Sequence, residues 1–304
     1  MRHVISVHDL TVDLIFDVLD RAESMLEIAG GRAVSDVLKG KVLGSIFFEP
    51  STRTRLSFET AMNRLGGSVI GFAGTEATSV VKGETLADTI RMVSGYADGI
   101  VLRHPREGAA KLATEFSDVP VINAGDGAGQ HPTQTLLDLF TIRQHMGRLQ
   151  DLNISLVGDL RYGRTVHSLA FALSKFGNTI NLVSPEGLEM PAEVVDHLRD
   201  SGQFGVACHT PEEVIEKTDI LYVTRIQKER FPDPVEYKKV AGKYMIDPEL
   251  VSQGPGHMIV MHPLPRVNEI TPEVDSMPQA KYFVQAANGV PVRMALLSMV
   301  IGGV

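Results

Sequence analysis

Phe47-Phe48-Glu49-Pro50-Ser51-Thr52-Arg53-Thr54-Arg55-Leu56-Ser57-Phe58-Glu59 carries an apolar run, begun at Val42, into a stretch of helical periodicity that reaches Leu65. A short apolar run followed by a 3.6-residue pattern is a strand turning into a helix, the unit from which parallel sheets are built. The same grammar continues in both directions. Residues 42–48, 68–72, 99–102 and 119–123 read as strands, and so do 154–157, 179–183, 205–209, 220–223 and 258–261. Periodic stretches such as 9–29, 52–65, 84–96, 165–175 and 193–199 separate them as helices. The rhythm breaks once, where Pro132 opens a long helical pattern that closes at Met146-Gly147. Four strands precede that helix and five follow it. The expected fold is α/β: two similar-sized domains, each a parallel sheet flanked by helices, joined by a hinge helix. The domains are expected at 1–132 and 151–287, the linking helix at 133–150, and a C-terminal helix at 288–304 that packs back on the first domain.

Composition fits that architecture. The chain has 304 residues, about two domains at ~150 residues each. Hydrophobic residues make up 43% and charged residues 22%, ordinary globular usage that argues against wholesale disorder. With 29 Lys and Arg against 37 Asp and Glu, the net charge is 29 − 37 = −8. A net-acidic chain has no global electrostatic reason to bind nucleic acid or an anionic membrane. Any anion must therefore meet a local cluster of positive charge. The single cysteine, Cys208, cannot form an internal disulfide, lies in an apolar strand pattern, and reads as a core filler. No leader-like segment and no apolar run of ~18 residues is present, so a soluble cytoplasmic protein is expected.

The candidate chemistry sits at strand ends. Ser51 to Arg55 offers three hydroxyls and two arginines where a helix begins, and a helix N-terminus presents unpaired N–H groups and the positive end of a dipole. A phosphate or carboxylate suits that corner; an ordinary Ser or Thr cap beside solvated arginines is the plainer alternative. Arg103-His104-Pro105 ends the third strand, and His131-Pro132-Thr133-Gln134 opens the hinge helix. Arginine, histidine and amide together can surround a polarised carbonyl. Lys82, beside Gly83, reads locally as a solvent lysine able to swing into a site. Arg164 and Arg225 follow two strands of the second half and could clamp a dicarboxylate, although each alone is also an ordinary surface charge. The turn His262-Pro263-Leu264-Pro265 leaves carbonyls without ladder partners after a buried strand. The sequence lacks a phosphate-binding P-loop, a nucleophile-elbow serine and a His-Glu-x-x-His pair, the usual equipment of nucleotide hydrolysis, esterases and zinc peptidases. No cofactor and no metal are expected.

Together, Ser51-Thr52-Arg53-Thr54-Arg55, Arg103-His104-Pro105, His131-Pro132-Thr133-Gln134, Arg164, Arg225 and His262-Pro263-Leu264-Pro265 resemble the catalytic chains of the aspartate carbamoyltransferase family from about Phe47 to Arg293. The first motifs occur across all carbamoyltransferases and speak for carbamoyl phosphate. The acceptor reading rests on Pro263, where the ornithine enzymes usually carry cysteine, and on two arginines that would repel ornithine's cationic side chain. The resemblance implies carbamoyl transfer to L-aspartate in pyrimidine synthesis, with residues 1–132 holding carbamoyl phosphate and 151–287 holding aspartate. It assigns the phosphate to Ser51, Thr52, Arg53 and Thr54, with Arg103 bridging phosphate and carbonyl. Thr54, Arg103 and His131 polarise the carbonyl oxygen; Gln134 and the turn Pro263, Leu264 and Pro265 hold the carbamoyl nitrogen. Arg164, Arg225 and Gln227 grip the aspartate carboxylates. Ser79 and Lys82 complete the site of a neighbouring chain in a homotrimer, and regulatory chains are possible partners. Two departures stand out: Val81 replaces a common lysine, and Arg161 stands where lysine is usual. A carbamoyltransferase with another acceptor, and a silent binding subunit, are the rival readings.

Overall fold

The computed structural model describes residues 2–76, 78–127, 129–226 and 245–303. It divides into two compact units: one runs to Phe140 and resumes at Ala287, the other is Thr141–Ala286.

In the first unit, β1 (Val42–Phe47), β2 (Ser68–Ala73), β3 (Gly99–His104) and β4 (Val121–Asp126) pair in parallel in the order β2-β1-β3-β4. Ile46 stands beside Phe72 on one neighbour and Leu102 on the other. Ile46 and Leu102 belong to a core shared with Ile90, Val93, Ile100, Ala113 and Val121. The near-continuous burial of β1, β3 and β4 is what a sheet covered on both faces requires. The helices are α1 (Val12–Ser24), α2 (Leu26–Ala29), α3 (Thr52–Arg64), α4 (Leu86–Ser94) and α5 (Ala109–Phe116), and α6 (Pro132–Met146) begins in this unit and runs past its boundary at Phe140.

Several boundaries differ from the sequence expectation, each for a local reason. The single helix expected over 9–29 breaks at Met25, whose N–H reaches back only three residues to Ala22 O, 3.1 Å, ending the i→i−4 ladder. Helix α4 starts at Leu86 because the Thr85 hydroxyl accepts the Asp88 N–H, fixing Thr85 as its cap. Strand β4 starts at Val121 rather than 119, since Pro120 has no N–H to give a ladder. Strand β3 runs on to His104, which brings Arg103 into the sheet opposite Phe47.

In the second unit, β5 (Asn153–Val157), β6 (Thr179–Val183), β7 (Phe204–Cys208), β8 (Ile220–Val223) and β9 (Ile259–Met261) pair in parallel in the order β7-β6-β5-β8-β9, with α7 (Arg164–Leu173) and α8 (Ala192–Asp200) among the helices. Val157, Val183, Leu221, Val223, Val260 and Tyr282 anchor its core. Gly158, at φ +118°, turns the chain off β5 so tightly that a Cβ would lie 2.2 Å from the Thr224 carbonyl oxygen.

The C-terminal helix, Tyr282–Val300, begins earlier than the pattern suggested. By length and composition it could cross a membrane, but 61% of its apolar window is buried, as expected of a core helix. From Ala287 onward it belongs with the first unit, where Val292 and Met294 to Leu297 are buried.

Cys208 is a free, buried thiol at the end of β7. Burial, with the Glu213 charge adding to it, pushes its pKa up to about 11. Only the thiolate attacks alkylating agents, so below that pH the folded protein holds almost none of the reactive form. Iodoacetamide at pH 8 is expected to leave Cys208 intact for hours in the native state and to label it fully in urea, read by intact mass. Rapid native labelling would show an accessible, activated thiol instead.

Candidate active site

Ligands in open α/β sheets gather at the carboxyl ends of the strands where strand order reverses. In the first unit that reversal falls between β1 and β3. Ser51 to Thr54 leave the end of β1, and Arg103 lies at the end of β3, with the Phe48 N–H donating to Arg103 O at 2.9 Å. Ser51 occupies the cap position of α3, yet its hydroxyl makes no cap bond and the first turn carries no acidic residue. An ordinary capping role is therefore not how this serine is used. Thr52 and Arg53 are exposed while Thr54 is buried, so the corner has an open charged side and a fixed hydroxyl side. Arg55, the other arginine of the motif, turns to Glu59, Nε to Oε1 2.7 Å, and lends its charge there.

Arg103 is held from two directions. One guanidinium nitrogen donates to Ala124 O at 3.0 Å and another lies 2.7 Å from Glu49 Oε1. The fork of the side chain is thereby aimed by the backbone of β4 and by a carboxylate two residues before Ser51. His131, 5% exposed, and Gln134 follow β4 at the start of α6. The loop before them is shaped by Asp126, which accepts from Gly108 N, Gln130 N and Asn123 Nδ2 at 2.9–3.0 Å. Its glycines thus serve a self-bonded turn. Ser79 and Lys82 bound a short 3-10 turn after β2, both exposed, closed by Gly83 at φ +94°.

In the second unit the order reverses between β5 and β8, and these two strands send out Arg164 and Arg225. Asp159, fully buried, accepts the Tyr162 N–H at 2.9 Å and shapes the turn that ends at Arg164. Arg161 donates to Gly187 O at 3.2 Å and its guanidinium carbon lies 5.5 Å from the Tyr162 ring centroid. Gln227 lies outside the described residues.

After β9, the turn 263–265 is fixed by His262. Its Nδ1 accepts the Leu264 N–H at 2.8 Å, so Nε2 carries the proton and faces Glu269 Oε1 at 2.7 Å. Leu264 sits at φ +55°, a region leucine seldom visits, and the Leu264-Pro265 bond is cis. Burial opposes ionisation of Glu269, but His262 and the Val267 N–H outweigh it and hold the carboxyl below its usual range.

Two family models cover this layout. The carbamoyl-phosphate-binding domain of the aspartate/ornithine carbamoyltransferases matches residues 2–144, and their Asp/Orn-binding domain matches residues 150–300. The chain belongs to the aspartate/ornithine carbamoyltransferase family. Among its relatives within that family, an aspartate carbamoyltransferase catalytic subunit from Methanococcoides burtonii is 58% identical over 300 residues, 99% of this chain and 97% of the relative. The catalytic subunit of M. jannaschii aspartate transcarbamoylase superposes with a TM-score of 0.92 at 53% identity, covering 99% of this chain and 98% of that one. The Trypanosoma cruzi aspartate transcarbamoylase, solved with carbamoyl phosphate and aspartate, gives 0.91 at 41% identity over 97% and 95%. The parallel two-sheet α/β architecture read from the sequence is thus the carbamoyltransferase fold.

Sequence reading missed the groups that hold these candidates in place. Glu49 is part of the quoted motif, but its 2.7 Å contact with Arg103 does not follow from that motif, and neither does the acceptance of Gln134 Nε2 by Asp138 at 2.9 Å. Glu269 and Arg293 were equally silent. For Glu49, its position two residues before Ser51 was a usable signal; the others become visible only through contacts the fold creates.

Proposed function

We propose that this chain transfers the carbamoyl group of carbamoyl phosphate to the α-amino group of L-aspartate, giving N-carbamoyl-L-aspartate and phosphate in de novo pyrimidine biosynthesis. The observation that carries this reading is the placement of cations at both switch points: Arg53 and Arg103 in one sheet, Arg164 and Arg225 in the other. One pair suits a phosphate and a carbonyl, the other a dicarboxylate. The Trypanosoma cruzi relative, crystallised with both substrates, supports the same assignment.

The first unit is the carbamoyl-phosphate side. Ser51, Thr52, Arg53 and Thr54 receive the phosphate, and Arg103 bridges phosphate and carbonyl. Thr54, Arg103 and His131 polarise the carbonyl oxygen, and Gln134 accepts from the carbamoyl nitrogen. Pro263, Leu264 and Pro265 complete that end of the site through the carbonyls of their turn. In the second unit Arg164 and Arg225, with Gln227, hold the aspartate. The neutral amine attacks the carbonyl carbon, negative charge collects on its oxygen, and the carbon–phosphate oxygen bond breaks as phosphate leaves and the nitrogen sheds a proton. Fixed donors stabilise that charge without reorganising, which is the main source of rate in such sites. Closure of the units on the two substrates would exclude water from the reaction. Ser79 and Lys82 act in the site of a neighbouring chain of a homotrimer. The chain works in the cytoplasm, and the name catalytic subunit carried by its relatives leaves room for regulatory chains.

A colorimetric assay for carbamoylated product, with carbamoyl phosphate and either L-aspartate or L-ornithine, tests this. Product is expected with aspartate alone, because the arginine pair that attracts two carboxylates repels ornithine's ammonium group. Product with ornithine, or none with either from folded protein, would overturn the acceptor assignment.

A further inference from the structure

Gln134 opens helix α6, and its Nε2 donates to Asp138 Oδ1, one turn on, at 2.9 Å. Asp138 is completely buried. A buried carboxylate needs a counter-charge, and the C-terminal helix carries a cation, Arg293, only 3% exposed, whose charge interacts with that of Asp138. Arg293 Nη2 donates to Thr133 Oγ1 at 3.3 Å, and its guanidinium carbon lies 5.0 Å from the Phe58 ring centroid. Its Nε finds no hydrogen-bond partner among the described residues. Burial lowers the Arg293 pKa to about 9, and the Asp138 charge opposes that fall. The guanidinium packs against Gly289, where a Cβ would come within 2.2 Å of Nη1. Arg293 therefore touches both α3 and α6, whose first turns bear Thr54 and Gln134.

The two ends of a glutamine amide are nearly alike in shape, so its neighbours decide which end faces the ligand. An ionised carboxylate only accepts. It holds the Gln134 NH2 group toward itself and leaves Oε1 for the other side. That matters for carbamoyl phosphate, whose own NH2 group donates; a reversed amide would set donor against donor.

We propose that Asp138 is a positioning residue that orients the Gln134 amide so that its oxygen accepts from the carbamoyl nitrogen. The proposal rests on the carbamoyl-phosphate role given to Gln134 above and assigns the selection of amide over methyl to this buried carboxylate.

The test compares carbamoyl phosphate with acetyl phosphate, which has a methyl group in place of the NH2, and with inorganic phosphate, by titration calorimetry on the folded protein. Asp138→Asn can donate or accept and no longer dictates the amide's direction. It is expected to weaken carbamoyl phosphate about tenfold, the scale of one mis-set hydrogen bond, while acetyl phosphate and phosphate shift by less than about twofold. A merely structural role would weaken all three together. In a Gln134→Ala background, Asp138→Asn is expected to add no further loss of selectivity. Gly289→Ala, which displaces the Arg293 guanidinium without removing any titratable group, is expected to lower the same ratio and serves if Asp138→Asn does not fold. An unchanged ratio in these variants, a parallel loss of all three ligands, or an Asp138→Asn effect that persists without Gln134 would overturn the proposal. Failure of the unaltered protein to prefer carbamoyl phosphate would instead reject the reading of Gln134 itself.

Discussion

Arg103→Ala is expected to lower kcat by at least ~10³-fold while leaving the protein folded, and Arg53→Ala by ~10² to 10³-fold. The two arginines differ in how they are held. Arg53 is exposed on the first turn of α3, and its removal takes away a charge at the corner proposed for the phosphate. Arg103 is anchored at once to Ala124 O, 3.0 Å, and Glu49 Oε1, 2.7 Å. In the proposed role, alanine there deletes a donor to the carbonyl oxygen and takes the guanidinium away from the Glu49 carboxylate, whose negative charge then opposes the charge developing on that oxygen. The second effect adds repulsion to lost attraction, so Arg103→Ala exceeds a single deleted donor. Glu49→Gln in the Arg103→Ala background removes that repulsion and is expected to return about tenfold in rate. Arg103→Lys keeps the charge but cannot reach two anchors and a substrate with one ammonium, and is expected to fall between. Steady-state kinetics with saturating aspartate measures all four. A loss of less than tenfold in Arg103→Ala would remove it from the chemistry, and no recovery in the double variant would remove Glu49 from the account.

The strands were legible because alternation of short apolar runs with 3.6-residue patterns is a local property. So was the link between Ser51 to Thr54 and a helix start, since caps and hydroxyls sit side by side in the chain. Sheet order was not legible. Nothing in residues 42–47 announces that β3 rather than β4 lies beside β1, yet that pairing brings Arg103 opposite Phe47, at the strand end that leads into Ser51 to Thr54. The same limit hid the supports of the site. Arg293 bonds Thr133 across 160 positions, and Asp126 ties its turn back to Gly108. His262 could be noticed from its motif, but not that its Nδ1 holds Leu264 while its Nε2 faces Glu269. Residues that would touch substrate are charged or hydroxylic and stand out singly. Residues that aim them are defined by contacts between distant segments, and a buried Asp looks like any other in a sequence. Lys82 marks a different limit, since even the folded chain leaves it an exposed lysine on a turn.

That lysine carries the most demanding expectation of the trimer proposed above. If each site takes Arg53 from one chain and Lys82 from the next, then Lys82→Ala and Arg53→Ala each abolish every site of a uniform trimer, for opposite reasons. Coexpression of the two variants produces mixed trimers. Around a ring of three, any mixed trimer places one chain with intact Arg53 beside a neighbour with intact Lys82 at one interface only. Random assembly makes three trimers in four mixed, each with one working site in three, so about one quarter of the unaltered activity returns. The recovered activity is expected in the mixed species after charge-tagged separation, and neither parent shows it. If Lys82 served its own chain, mixing would restore nothing, because no chain would hold both residues. If Lys82 were only a solvated surface charge, Lys82→Ala alone would keep nearly full activity. The quarter return is therefore a statement about geometry between chains, obtained from rates alone.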